Sequence, residues 1–417
     1  MFQVLKAAWA LLLGMGLLMI GNGMQGTLLG IRGDIENFST IQLSIIVSSY
    51  FVGFLGGSRL APLMIRRVGH VRVFAALASL ISAIMIFYPT VVDPLAWTMA
   101  RVVIGFCFSG VYVTAESWLN NAASNATRGQ ALSLYMIVQT SGIVIAQGLI
   151  LIADPSGFVL FVIPCILVSI AITPILLSIS PSPGFEATKP MSLKVLFTQA
   201  PLSCVGMLLL GGVFAAQFGM APVYGAEAGL TVTEISSFVS AFFIGAIMTQ
   251  FPIGWLSDRM ERRKLIVIIS CIGTVGAIIG AVFGGIIPLL LLAAFLIGST
   301  SNPLYSLLTA HANDYLELED MASASGGLIF LNGLGAIAGP LIIGSSMDIF
   351  GPKGYFFFLG ILVTAISLYG IYRSTKRPAV AAEDSGAYVT MAPIVSPVAV
   401  QIAQEIAIDD AKENLAP

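Results

Sequence analysis

Two ionisable side chains, Arg101 and Glu116, stand inside one apolar stretch, residues 94–118. Charges in hydrocarbon are costly and must face protein or a water-filled space, so both are functional candidates. A guanidinium does not deprotonate. Arg101 therefore suits an anchor for an anionic solute or a fixed charge beside an acid, with snorkelling to the headgroups as the structural alternative. Glu116 has the chemistry to carry a proton, because partial burial raises a carboxylate's proton affinity. The competing reading, favoured by nearby basic residues, pairs it with Arg66 or Arg67 as a gate lock. His311 and Asp314 hold the matching position beside Arg262 and Arg263, His311 as a titrating group or a solvated one. Asn22, Gln25, Gln139, Gln147, Gln217, Asn302 and Asn332 fall near the middle of apolar segments. Amides offer donors and acceptors together and suit a small polar ligand; otherwise they tie helices together, worth about 0.6 kcal/mol each. No nucleotide loop, catalytic triad or metal-type cluster is present, so the sequence predicts neither an enzyme nor a bound cofactor or metal.

A second charged constellation is a turn, Gln250 to Arg263, set between two long apolar segments. Its glycine, Gly254, permits close helix approach, while Asp258, Arg259, Arg262 and Arg263 belong on the water side. An altered copy, Gly57 to Arg67, lies about 200 residues earlier and carries Ala61 where the acid belongs.

The elements that position these groups follow from composition. The 417 residues are 57% hydrophobic and 10% charged, with mean hydropathy +0.95. Soluble domains carry about 25% charge, so most of this surface faces lipid, the first partner implied. A net charge of −2 provides no basic face for nucleic acid. Segments long enough to cross about 30 Å of hydrocarbon fall at 7–30, 41–62, 71–91, 94–118, 129–152 and 157–179. Six more fall at 202–224, 234–256, 264–284, 286–309, 322–346 and 354–373. The fold class is an all-α polytopic membrane protein with twelve transmembrane helices in two six-helix bundles. Arg66, Arg67, Arg72, Arg128, Lys189, Lys194, the Arg259–Lys264 cluster and Arg373–Arg377 then share one side, against Arg32 and Lys353 on the other. By the positive-inside rule both termini are cytoplasmic.

The chain divides into a first bundle over residues 1–180, a polar connector over 181–200, a second bundle over 201–375 and a tail over 376–417. The tail, with Glu383, Asp384, Glu405, Asp409 and Asp410, reads as disordered, with a short docking segment around Tyr388 to Val400. A shift of 193 residues superposes Tyr112 on Tyr305, Asn120 on Asn313, Gln139 on Asn332 and Gly142 on Gly335. Such repeats build transporters that bind substrate at the midplane between halves.

The Gly254-x-x-x-Asp258-Arg259 turn with Arg262-Arg263 resembles the signature of the Major Facilitator Superfamily, and the resemblance covers about residues 7 to 375. Arg101-x-x-x-Gly105 is similar to the arginine-glycine motif of its proton-coupled members. Gly326, Gly335, Gly339-Pro340 and Gly344 have the spacing of its antiporter motif, though in helix 11 rather than helix 5, where only Gly142, Ala146 and Gly148 remain. Glu116-Ser-Trp-Leu119, Asn125-Ala-Thr-Arg128-Gly129 and Gln250-Phe-Pro-Ile-Gly254 resemble the YcaD-like branch. The resemblance implies a monomeric transporter of the bacterial inner membrane that works by alternating access. Proton linkage and an anionic or neutral polar solute are expected. The competing expectations are a facilitator or importer without proton coupling and a membrane sensor that no longer transports.

Overall fold

In a computed structural model the chain is described at residues 2–122, 128–177, 191–378, 380, 388–391, 396, 398–400 and 402–406. Twelve helices are long and apolar enough to cross a membrane. They are α1 (Phe2–Ile35), α2 (Thr40–Val68), α3 (His70–Thr90), α4 (Pro94–Ala122), α5 (Arg128–Leu149), α6 (Val159–Leu177), α7 (Pro201–Glu227), α8 (Val232–Ser257), α9 (Arg262–Phe283), α10 (Ile287–Asn313), α11 (Leu318–Phe350) and α12 (Lys353–Ser374). An even number of crossings brings both ends of the chain to one face, the terminal face; the opposite face is distal. Asn125, Lys189, Glu383, Asp384, Asp409 and Asp410, named in the sequence analysis, lie outside the described residues, as do residues 181–190 of the connector.

The internal repeat is visible in how helices begin. Ser39 caps α2 by accepting from Gln42 N, and Gln42 Oε1 in turn accepts from Ser39 N at 2.8 Å. Thr231 and Glu234 make the same reciprocal box at α8, again at 2.8 Å. Each box satisfies orphan amide groups at a helix start.

Packing repeats too. A Cβ on Gly53 would stand 1.8 Å from the Val102 carbonyl oxygen, and one on Gly105 would stand 1.9 Å from that of Tyr50, so α2 and α4 touch backbone to backbone. Gly245 and Gly298 serve α8 and α10 in the same way, at 2.4 Å from Phe295 O and 2.0 Å from Phe242 O. Helices in lipid gain nothing from excluding water, so association depends on such close van der Waals contact.

The two bundles, α1–α6 and α7–α12, meet through α2 with α11, α5 with α8, and α1 with α7. The distal side is sealed: Ser48 Oγ donates to Ile337 O at 2.6 Å, and Thr40 hydrogen-bonds Glu227. Arg32 at this face ion-pairs with Glu36 at 2.6 Å and donates to Pro155 O at 3.0 Å.

The terminal side is filled differently. The connector's described part forms a helix, Leu193–Gln199, tied to α11 by Met191 N donating to Ser323 O at 2.9 Å. Of the tail, the described residues lie against the bundles, in and just beyond the segment from Tyr388 to Val400 that was read as docking. Met391, Ser396, Ala399, Val400, Ile402, Ala403 and Gln404 are buried, and residues 398–400 and 402–406 are helical. Apolar residues at this spacing give the segment a face that can be buried, which an acidic tail alone would lack.

Candidate functional site

Polar side chains gather between the bundles in three groups. In the first, α4 supplies Arg101, 2% exposed, whose Nη1 donates to Gln25 Oε1 of α1 at 3.0 Å. Gln25 Nε2 donates onward to Tyr88 OH at 3.1 Å, and the Arg101 guanidinium sits 4.8 Å from the Tyr50 ring centroid. Asn22 Nδ2 donates to Tyr112 OH at 3.2 Å, and Thr27 donates to Gln147 Oε1 at 3.0 Å. Arg101 is therefore a structured internal cation and does not snorkel. Asn22 Oδ1, Arg101 Nε and both amide atoms of Gln139 are buried without a protein partner of good geometry. Such groups are strong candidates for ligand or water contact.

The second group belongs to the other bundle. Gln217 sits in a π-helical turn, Ala216–Met220, inside α7, a distortion often found at functional sites. Its Oε1 accepts from Ser301 Oγ at 2.9 Å while its Nε2 is unpartnered. Asn332 donates to Met207 O at 3.1 Å and lines a small cavity with Tyr50, Phe54 and Phe214 at the seam. Asn302 lines a larger cavity of about 180 Å³ with Thr140, Gln250 and Met391. Of the seven amides, Asn302 and Asn332 line cavities, while Gln25, Gln147 and Asn332 are already committed to protein partners.

The third group corrects the sequence reading. Glu116 is fully buried and meets neither Arg66 nor Arg67, both of which are exposed. It accepts from Tyr135 OH at 3.3 Å, Ser396 N at 3.0 Å, Ala399 N at 3.2 Å and the Ser396 hydroxyl. Tyr112 and Tyr305, partners under the 193-residue shift, both lie within its electrostatic reach. The absent acid at Ala61 is not replaced by Glu116. Ala61 is itself buried, facing Gly110 of α4.

At the terminal face, Arg262 is buried and ion-pairs with buried Asp314 while donating to Ser257 Oγ at 3.2 Å. Arg263 donates to Arg377 O at 2.7 Å and Tyr315 OH at 2.8 Å, which ties α9 to the segments just past α12 and α10. His311 is 5% exposed and stacks edge-on against Tyr315, so it is not a solvated surface residue. Asp258 and Arg259 are exposed, and Arg259 folds back over Trp255 at 4.2 Å. The buried lock of this turn is therefore Arg262–Asp314.

Residues 388–391, 396 and 398–400, within the segment read as docking, supply one side of this site; their partners on α4, α8 and α10 were not named by the sequence. Gln250 Nε2 donates to Ser306 Oγ at 3.0 Å and to Tyr388 OH at 3.1 Å; Ser306 exchanges bonds with Met391 N and O at 2.8 and 3.1 Å. Burial raises the Tyr388 phenol above its ordinary pKa. Apolar periodicity within residues 388–403 was the available signal.

Comparison with known proteins matches this architecture. The Major Facilitator Superfamily model matches residues 11–231 and 202–402. The chain is 24% identical over 344 residues to the uncharacterized MFS-type transporter YcaD of Salmonella paratyphi A, covering 82% of this chain and 88% of that one. Among solved structures, the nucleoside transporter NupG aligns with TM-score 0.71 at 16% identity, over 88% of this chain and 98% of that one. A D-xylose-proton symporter aligns with TM-score 0.65 at 15% identity, over 88% and 97%. These two likenesses show the fold. Twelve apolar helices, a polar seam and the matched family together establish that the chain belongs to the Major Facilitator Superfamily, as a multi-pass inner-membrane transporter and not an enzyme.

Proposed function

We propose that the protein is a proton-linked secondary transporter that moves a small polar organic solute by alternating access, with both termini cytoplasmic. The observation that carries this reading is the seam itself. It is closed by protein contacts on the distal side and lined at mid-depth by polar groups of both bundles. A neutral solute fits better than an anion, because Gln25 and the Tyr50 ring already cover Arg101. The nucleoside and D-xylose proteins that share the fold are named for neutral solutes, in the same direction.

In this cycle Asn22, Gln139, Gln217 and Asn302 contact solute, Arg101 and Gln25 form a fixed pair behind them, and Gln147 and Asn332 hold the helices that present them. Glu116 carries the proton: a carboxylate in a dry bundle is held by donors or neutralised. Arg66, Arg67, Asp258 and Arg259 are exposed at the terminal face and are the groups that meet when it closes, while Arg262 and Arg263 keep the second bundle's helix ends rigid. The test is uptake into proteoliposomes of nucleosides, pentoses and small organic acids, with and without an imposed pH gradient. A neutral solute that accumulates with the gradient, and stops doing so when a protonophore collapses it, is the expected result. Equal flux with and without the gradient would remove the proton linkage, and no flux of any solute would count against the transport reading.

A further inference from the structure

Glu116 is a buried carboxylate held by donors contributed largely by the chain's own C-terminal segment. Two backbone N–H groups, Ser396 and Ala399, converge on it with the Ser396 hydroxyl and Tyr135 OH. The same segment is fixed at two further points, Met391 on Ser306 of α10 and Tyr388 on Gln250 of α8. It therefore bridges α4 of one bundle to α8 and α10 of the other, across the gap those bundles must close in an alternating-access cycle. Gly254, the glycine of the charged turn, has a role here: a Cβ on it would stand 2.7 Å from Tyr388 Cε1. Farther along, Gln404 is fully buried with both amide atoms unpartnered, so the segment carries a polar group into the interior.

We propose that Glu116 forms a recognition site for paired hydrogen-bond donors, a hydroxyl beside an N–H, and that the described tail residues between Tyr388 and Ile406 are its tethered occupant, excluding a solute of that class until they leave. The physical argument is the cost of vacating the site. A carboxylate left bare in the bundle costs several kcal/mol, so departure of the segment requires replacement donors or a proton. This deepens the transport reading by naming the solute class, and it rests on the seam being the solute's route.

The test uses the full chain in nanodiscs, with Cys107, Cys165, Cys204 and Cys271 replaced by serine, and follows labelling by a water-soluble maleimide. Val400→Cys, at a position 1% exposed, is compared with Lys376→Cys at an exposed one. Val400→Cys is expected to react at least about tenfold more slowly, a factor equivalent to about 1.4 kcal/mol. Ser396→Pro deletes two donors, the backbone N–H and the hydroxyl, and Glu116→Gln removes the charge; both should raise the Val400→Cys rate toward the Lys376→Cys rate. N-acetylserinamide, which carries a hydroxyl beside an amide N–H, should accelerate labelling, and N-acetylproline methyl ester, which has no such donor, should not. Equal rates at the two cysteines would overturn the tethered occupant. Equal response to the two probes would overturn the donor-pair site. None of these readouts needs flux, so failure of the transport assay and failure of this proposal are separable.

Discussion

Ser396 donates its backbone N–H to Glu116 at 3.0 Å, joining a residue near the end of the chain to one deep in the fourth helix. This bond places the segment on the one buried acid of α4 and links the fate of the tail to that of the proposed proton carrier.

If Glu116 carries the proton, Glu116→Gln mimics its neutral form permanently. Accumulation driven by a pH gradient should then be lost, while exchange of labelled for unlabelled solute across the membrane persists. Counterflow measured beside uphill uptake in the same proteoliposomes checks this. Loss of both activities would mean that Glu116 is needed for binding or folding instead.

The Arg262–Asp314 pair is buried on both sides, and breaking such a pair strands a charge. Asp314→Asn should cost about 3–5 kcal/mol, whereas Arg259→Ala, at the exposed end of the same turn, should stay within about 0.5 kcal/mol. Chemical unfolding in detergent, followed by tryptophan fluorescence, compares the two.

Gly53 and Gly56 are three residues apart on α2 and provide an internal control. Gly53→Ala puts a methyl group into the Val102 carbonyl and should destabilise by about 1–3 kcal/mol or more. Gly56→Ala meets nothing nearer than 3.9 Å and should be tolerated. Melting curves of the purified variants decide between backbone contact and mere helix propensity as the reason for glycine here.

Gly254→Ala should push the Tyr388 ring from its place while leaving the Arg262–Asp314 pair intact. Protection of the Met391 amide against hydrogen exchange is expected to fall, because its bond to Ser306 lies next along the segment. Unchanged protection would separate the turn from the tail.

Much of this was legible in the sequence. Spans are a one-dimensional property, and all twelve are found where the hydropathy places them. Arg101 and Gln25 were recognisable because a polar group in hydrocarbon must have a partner; the identity of the partner was not, since it joins positions 76 residues apart. Glu116 shows why the rest was hidden. Basic residues near its level suggested Arg66 or Arg67, yet these face outward, and the true donors come from a segment 280 residues later. The apolar run from Tyr388 to Val400 marked that segment as able to dock, but not against what. Its docking depends on a shaped groove between two bundles, which no local pattern records. The capping boxes at Ser39 and Thr231, by contrast, are local, and their repetition was readable in principle.

In alternating access the two bundles rock about a seam that is sealed here on the distal side. The most direct measurement is a pair of distance distributions between spin labels in lipid. One pair, Asp34→Cys with Ala228→Cys, reports the distal face; the other, Arg72→Cys with Lys264→Cys, reports the terminal face. Lowering the pH, or adding a solute that the uptake assay identifies, should lengthen the distal distance while shortening the terminal one. Distributions that stay single and unchanged on both faces, with solute bound, would contradict the account.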